Sequence, residues 1–203
     1  MCYSDKHEKI RGYHSKGGSW GMTQDEKNVL IKSQRINRWN AQKLYYNFGK
    51  KRQRKCTVKR GEVYFVDLGE HIGSEENKIR PVVVIQSNAY NFKSPVFTGA
   101  IISSSTLTIP DIQILITGVY PFKDENGVQK NLVGAIDLGQ IKTIGKERIV
   151  SSKICDLVNE MNEIDNKLLN IFGLSNIIKK KDNIINSLNG KVIYLKEQLK
   201  DNT

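Results

Sequence analysis

The stretch KRGEVYFVDLGEHIGSEENKIRPVVVIQS, residues 59–87, holds two segments of strand type around a polar loop. The first alternates. Val63, Phe65 and Asp67 fall on one face, and Glu62, Tyr64, Val66 and Leu68 on the other, which is the period of a strand. The second, RPVVVIQS, is a continuous apolar run, the pattern of a strand buried on both faces. Arg80 stands at the mouth of that run, directly before Pro81. Proline confines the preceding residue to extended backbone and removes one ladder donor at the strand's first position, where the loss is tolerated.

Further strands are predicted downstream. NAYNFKSP is a loop, VFTGAIISSS a third strand and IQILITGV a fourth. Asn126-Gly127 in DENG is a turn signal. LVGAIDLGQIKTIG reads as a strand pair or one bent strand. After KERIVSSK the period becomes helical. Leu157, Ile164, Ile171, Ile178, Ile185, Val192 and Leu199 recur every seven residues, with Leu174, Leu188 and Leu195 at the companion position. Glu160, Lys167 and Lys181 break the second seam, and Gly173 and Gly190 are expected to interrupt the helix. The reading is a docked helix over about 155–171, which places Cys155 in a helical segment, then a helix or two to the end. This is preferred to a continuous coiled coil. Strands followed by a helix predict a compact, mainly β barrel over 58–172.

Upstream of the barrel the composition changes. Residues 1–60 carry 16 Lys and Arg against 4 Asp and Glu, whereas residues 61–203 carry 16 against 17. A near-neutral body therefore bears a basic arm, which suits a phosphate-bearing partner such as nucleic acid. Residues 1–22 are polar and glycine-rich and are expected to be mobile. Thr23 and Glu26 match a capping box, and a helix is predicted from about Gln24 to Phe48, ending at Gly49. KKRQRK, residues 50–55, reads as a linker. Trp39, Tyr45, Tyr46 and Phe48 would either stack on bases or pack against a neighbouring domain.

Several classes are disfavoured. No apolar run reaches the length of a transmembrane helix and no secretory h-region is present, so a cytoplasmic location without membrane attachment is expected. Cys2, Cys56 and Cys155 form no CxxC, and with His7, His14 and His71 they show no metal-ligand spacing, so neither a metal nor another cofactor is expected. No phosphate-cradling GxxxxGK[ST] occurs. What remains is Arg80 opening the second strand and Ser103, Ser104 and Ser105 closing the third. An arginine fork and a hydroxyl on adjacent strand ends would clamp a phosphate, although an arginine in such a place also serves as a structural ion pair.

KRGEVYFVDLG (59–69), IGSEENKIRPVVVIQSN (72–88) and SPVFTGAIISS (94–104), in this order and spacing, resemble the MazF/PemK toxins of toxin–antitoxin modules. DLGQIKTIGKERI (137–149) looks like that family's late strand. The resemblance covers about Val58 to Leu174. It implies a mainly β (α+β) fold, an SH3-like small β-barrel with a C-terminal helix. To this the chain adds a helical basic N-terminal extension (1–57) and a helical C-terminal tail (175–203) around the barrel domain (58–174). It also implies a sequence-selective, metal-independent endoribonuclease that cleaves single-stranded RNA (mRNA), works as a homodimer and is held by a cognate antitoxin. The catalytic positions fall on Arg80 and on Ser103, where the family more often has Thr. Ser104 is the substitute if the register differs by one. Gly73, Ser74, Glu75 and Gln140 fall on RNA-binding positions. Two other readings are carried alongside: a non-enzymatic toxin of the same fold that poisons gyrase by binding, and a nucleic-acid-binding adaptor.

Overall fold

The computed structural model describes residues 22–49, 56–71, 73, 75–104, 109–124 and 126–201. The expectations for residues 1–21, for the 50–55 linker and for Ser74 and Ser105 lie outside these. The chain divides into two compact units, residues 1–38 and 39–203. Helix α1, Gln24–Gly49, runs across that boundary. It starts on the predicted capping box: the Glu26 N–H donates to Thr23 Oγ1 (3.2 Å), and the Thr23 N–H donates to Glu26 Oε2 (2.8 Å). Each bond satisfies a donor that the first turn leaves without an intrahelical partner.

The second unit is built on a curled antiparallel sheet with helices after it, a mainly β, α+β fold as expected. Strands β1 (Glu62–Asp67), β2 (Ile79–Val84), β3 (Val96–Ser103), β4 (Gln113–Leu115), β7 (Ala135–Gly145) and β8 (Cys155–Asp156) lie in the order β4-β7-β3-β2-β1-β8. The short helix α2 (Asn88–Asn91) links β2 to β3. A separate hairpin, β5 (Pro121–Lys123) with β6 (Gln129–Asn131), closes over the turn at Asp124–Gly127.

The sheet is buried on both faces, which explains the unbroken apolar run in β2. Val82, Val83 and Val84 are all fully buried. Val83 joins a cluster with Val63, Ala100, Ile102, Leu157 and Ile164. Val82 and Val84 join Tyr64, Val66, Leu68, Phe97 and Ile101 on the other side. At roughly 1.5–3 kcal/mol per fully buried aliphatic side chain, these two layers supply most of the driving force.

Strand β7 is one bent strand. Its pairing with β3 runs Ala100↔Ile141 and then Ile101↔Asp137, so Leu138, Gly139 and Gln140 are extra residues on the β7 side. Such an insertion re-aims side chains locally.

Two helical expectations are corrected. The docked helix α3 is Met161–Ile171, and Cys155 lies in strand β8, paired with Val63. The sevenfold recurrence began too early because Leu157 is buried from the segment directly after β8 rather than from a helix. Gly173 does end α3, at φ 68°, the left-handed conformation glycine adopts freely. Gly190 interrupts nothing: α4 runs unbroken from Ser175 to Asp201.

Candidate active site

The site grows from the register of three strands. Arg80 is the second residue of β2 and lies opposite Val66 of β1. Pro81 lies opposite Phe65, whose N–H donates to Ser151 Oγ and whose carbonyl accepts from Val150 N–H. Phe65 therefore bonds away from β2, and Pro81's missing donor faces β3. There the ladder begins only at Val82↔Ile101, continuing Val83↔Ala100 and Val84↔Gly99. The ladder thus stops two residues short of Arg80 and of Ser103, which lie in β2 and β3 at its open end.

Backbone packing holds Ser103 in place. It ends β3 opposite Ala135 of β7. Gly134, at φ 127°, lies so close that a Cβ there would sit 2.0 Å from the Ser103 carbonyl oxygen. Glycine is required on both counts.

Arg80 is held by a residue that the sequence did not single out. Its Nε–H donates to Glu76 Oε2 at 2.8 Å, with both side chains partly buried. The Glu76 backbone N–H in turn donates to Gln140 Oε1 at 2.7 Å. Gln140 stands on the three-residue insertion of β7, so that insertion is what carries it to the β1–β2 loop. A charge-assisted bond of this kind is worth about 1.5–3 kcal/mol, and less where water reaches it. The guanidinium Nε is thus committed to Glu76, which orients the Nη edge.

The remaining loop residues form a second group. Glu75 accepts from Lys142 Nζ at 3.1 Å and pairs with His71 Nδ1 at 3.4 Å. The Lys142 hydrogen bond and charge hold the Glu75 carboxyl below its usual range. Glu75, Gly139, Gln140, Ile141 and Lys142 line an open cleft of about 450 Å³. Gly73 is exposed, at φ 67°. Of the six site residues predicted from sequence, Arg80 and Ser103 stand at the open end of the β2–β3 ladder. Glu75 and Gln140 share the cleft, and Gln140 reaches Arg80 through Glu76. Glu76 and Lys142 were missed. The alternation of Gln140 and Lys142 in QIK was a faint signal for the latter, and Glu76 had none, because its role depends on loop closure.

The base of the same loop is buttressed by α1. Trp39 lies flat against Gly69, where a Cβ would come within 2.1 Å of the indole ring. The Arg148 guanidinium stacks over that ring at 5.0 Å, and its Nε–H donates to the Asp67 carbonyl at 2.7 Å. Tyr46, itself buried, donates its hydroxyl to Asp67 Oδ2 at 2.7 Å. Burial first, and then the Asp67 carboxylate, push the Tyr46 phenol up to about 12. Of the four aromatics singled out in α1, Trp39 and Tyr46 pack on the sheet, and Tyr45 and Phe48 are exposed.

Comparison with known proteins came to the same region of the chain. The family described as PemK-like, MazF-like toxin of type II toxin–antitoxin system matches residues 59–172. A curated relative, endoribonuclease EndoA of Bacillus subtilis (strain 168), is 40% identical over 112 residues. That match covers 55% of this chain and 90% of the relative. Among solved structures, an endoribonuclease from Mycobacterial species is 21% identical, covering 59% of this chain and 95% of that one, with a TM-score of 0.45. An endoribonuclease from Mycobacterial species in complex with its cognate antitoxin is 23% identical, covering 58% and 96%, with a TM-score of 0.44.

Proposed function

The chain belongs to the PemK-like, MazF-like toxins of type II toxin–antitoxin systems, and from that membership we propose how it cuts RNA. Its activity is that of an endoribonuclease toxin. That favours RNA cleavage over the gyrase-binding and adaptor readings. The barrel domain, 58–174, carries the reaction. The basic extension, 1–57, adds affinity through phosphate contacts, and 175–203 is a helical tail.

RNA brings its own nucleophile, the 2′-OH. The enzyme aligns it with the scissile phosphate and stabilises the charge that develops there. In the proposed reaction the 2′-oxygen bonds to phosphorus and the bond to the 5′-oxygen breaks. The 2′-proton is lost and the 5′-oxygen gains one. The products are a 2′,3′-cyclic phosphate and a 5′-hydroxyl, formed without a metal. Arg80 neutralises the phosphorane oxygens through its Nη edge. Proton donation to the leaving oxygen is secondary for a group with a pKa above about 12. The Ser103 hydroxyl donates to a non-bridging oxygen. Gly73, Ser74, Glu75 and Gln140 hold the flanking single-stranded nucleotides along the cleft. A cognate antitoxin would compete for the same surface, and the working unit would be a homodimer in the cytoplasm. Among the described residues no helix is long and apolar enough to cross a membrane.

The observation that carries this reading is Arg80 at the mouth of β2 with its guanidinium tethered by Glu76. The test is a labelled single-stranded RNA incubated with the purified chain in EDTA. A second RNA carries a 2′-deoxy sugar at the mapped cut. Cleavage of the first to cyclic-phosphate ends, with the second intact, is expected. Equal cleavage of both would overturn the mechanism.

A further inference from the structure

Helix α4 leaves its apolar side uncovered. Once Gly173 is seen to end α3, the sevenfold pattern divides into two parts with different fates. Leu157 and Ile164 are fully buried in the barrel, so the first part is consumed by docking. The second part belongs to α4 alone, and there the seam is nearly unbroken. One row is Ile178, Ile185, Val192 and Leu199; the other is Lys181, Leu188 and Leu195, preceded by Leu174. The apolar members are exposed, from 39% at Ile178 to 70% at Leu199. Asn176, Asn183, Gly190 and Glu197 take the opposite, outward position. A row of β-branched residues beside a row of leucines over nearly four heptads is the pattern of a helix that packs against another helix.

We infer that the partner is α4 of a second copy of this chain, paired antiparallel. The only charged residues flanking the seam are Asp182, Lys191 and Lys196; Ile177, Ile184, Asn189 and Gln198 take the other flanking positions. A seam that selects a foreign helix does so with charges at these positions, and this near-neutral set calls for neither an acidic nor a basic partner. Lys179, Lys180 and Lys200 fall outside the seam. Orientation follows from the same residues. A parallel, in-register pair would stack Lys181 on Lys181 and set Lys191 beside Lys196. The antiparallel pair sets Ile185 against Leu188, and Lys181 beside Val192, where its stem covers apolar surface and its ammonium reaches water. It also lays Ile184 of one copy along the stem of Lys191 of the other. This association surface lies outside the matched family region, 59–172, and does not depend on the proposed ribonuclease site.

The test mixes normal and heavy-nitrogen-labelled chains and treats them with a short lysine-reactive cross-linker. Mixed-label peptides are read by mass spectrometry. The expected product joins Lys181 of one copy to Lys191 of the other. The double variant Ile185→Asp/Leu188→Asp, which buries two charges in the seam, is expected to lower it by about tenfold or more. The same variant should retain the RNA cleavage rate. Mixed Lys181–Lys181 or Lys191–Lys196 products would overturn the antiparallel pair. Absence of any mixed α4–α4 product in the native chain, or its persistence in the double variant, would overturn the seam.

Discussion

Replacing Trp39 with alanine isolates what holds the end of α1 on the barrel. The indole is partly buried, lies against Gly69, carries Arg148 over one face and meets Tyr46 edge-on at 6.2 Å and 62°. Truncating a fully buried Trp costs about 3–5 kcal/mol; half of that, about 2 kcal/mol, fits a ring with one wet edge. The stacked guanidinium adds about 0.5–1 kcal/mol, and the aromatic pair about 0.5 kcal/mol. The sum is about 3 kcal/mol, or roughly a 100-fold rise in the undocked population of this segment. The cost is local, because the two core layers do not include Trp39. Amide hydrogen exchange is the assay. Amides of residues 40–48 should exchange roughly 100-fold faster, while those of β2 and β3 keep their protection. Unchanged exchange in α1 would refute the docking. Equal acceleration in β2 and β3 would show that Trp39 supports the whole fold instead.

Three further outcomes follow from the same contacts. Gly134→Ala places a Cβ 2.0 Å from the Ser103 carbonyl oxygen at a φ of 127°, so it should cost several kcal/mol, on the order of 2–4. In any folded fraction it should depress RNA cleavage more than RNA binding. Glu76→Gln keeps the backbone bond to Gln140 but weakens the tether on Arg80; cleavage should fall about tenfold, for about 1.4 kcal/mol, with thermal stability little changed. Tyr46 has a folded pKa raised from 10.0 to about 12, so its contribution is complete below pH 10 and is lost as pH rises from 10 to 12. The difference in tyrosinate absorbance between the native chain and Tyr46→Phe should titrate near 12. A midpoint near 10 would place that phenol in water.

The sequence was most legible where local pattern and burial agree. β1, β2 and β3 were read close to their observed bounds because alternation and the Val82–Val84 run report burial directly. The α1 start was read from Thr23 and Glu26, since capping is a local interaction. Strand β8 and the late start of α3 were lost because two residues, Cys155 and Asp156, carry no period, and Leu157 happened to fit the helical one. The three-residue insertion in β7 is invisible without its partner strand, yet it brings Gln140 to Glu76. That Arg80 and Ser103 both stand at the open end of the β2–β3 ladder is likewise a property of register, which a single strand does not encode. Glu76 could be found only once the β1–β2 loop had closed over Arg80.

The central claim is that the guanidinium of Arg80 is what the barrel brings to the scissile phosphate. The most direct measurement compares the native chain with Arg80→Ala in single-turnover cleavage of a labelled RNA in EDTA, alongside circular dichroism of both. Removing a donor to the developing charge costs about 100- to 1,000-fold. The account predicts a loss of at least that size with the sheet signal intact. Cleavage at the native rate by a folded Arg80→Ala protein would contradict it.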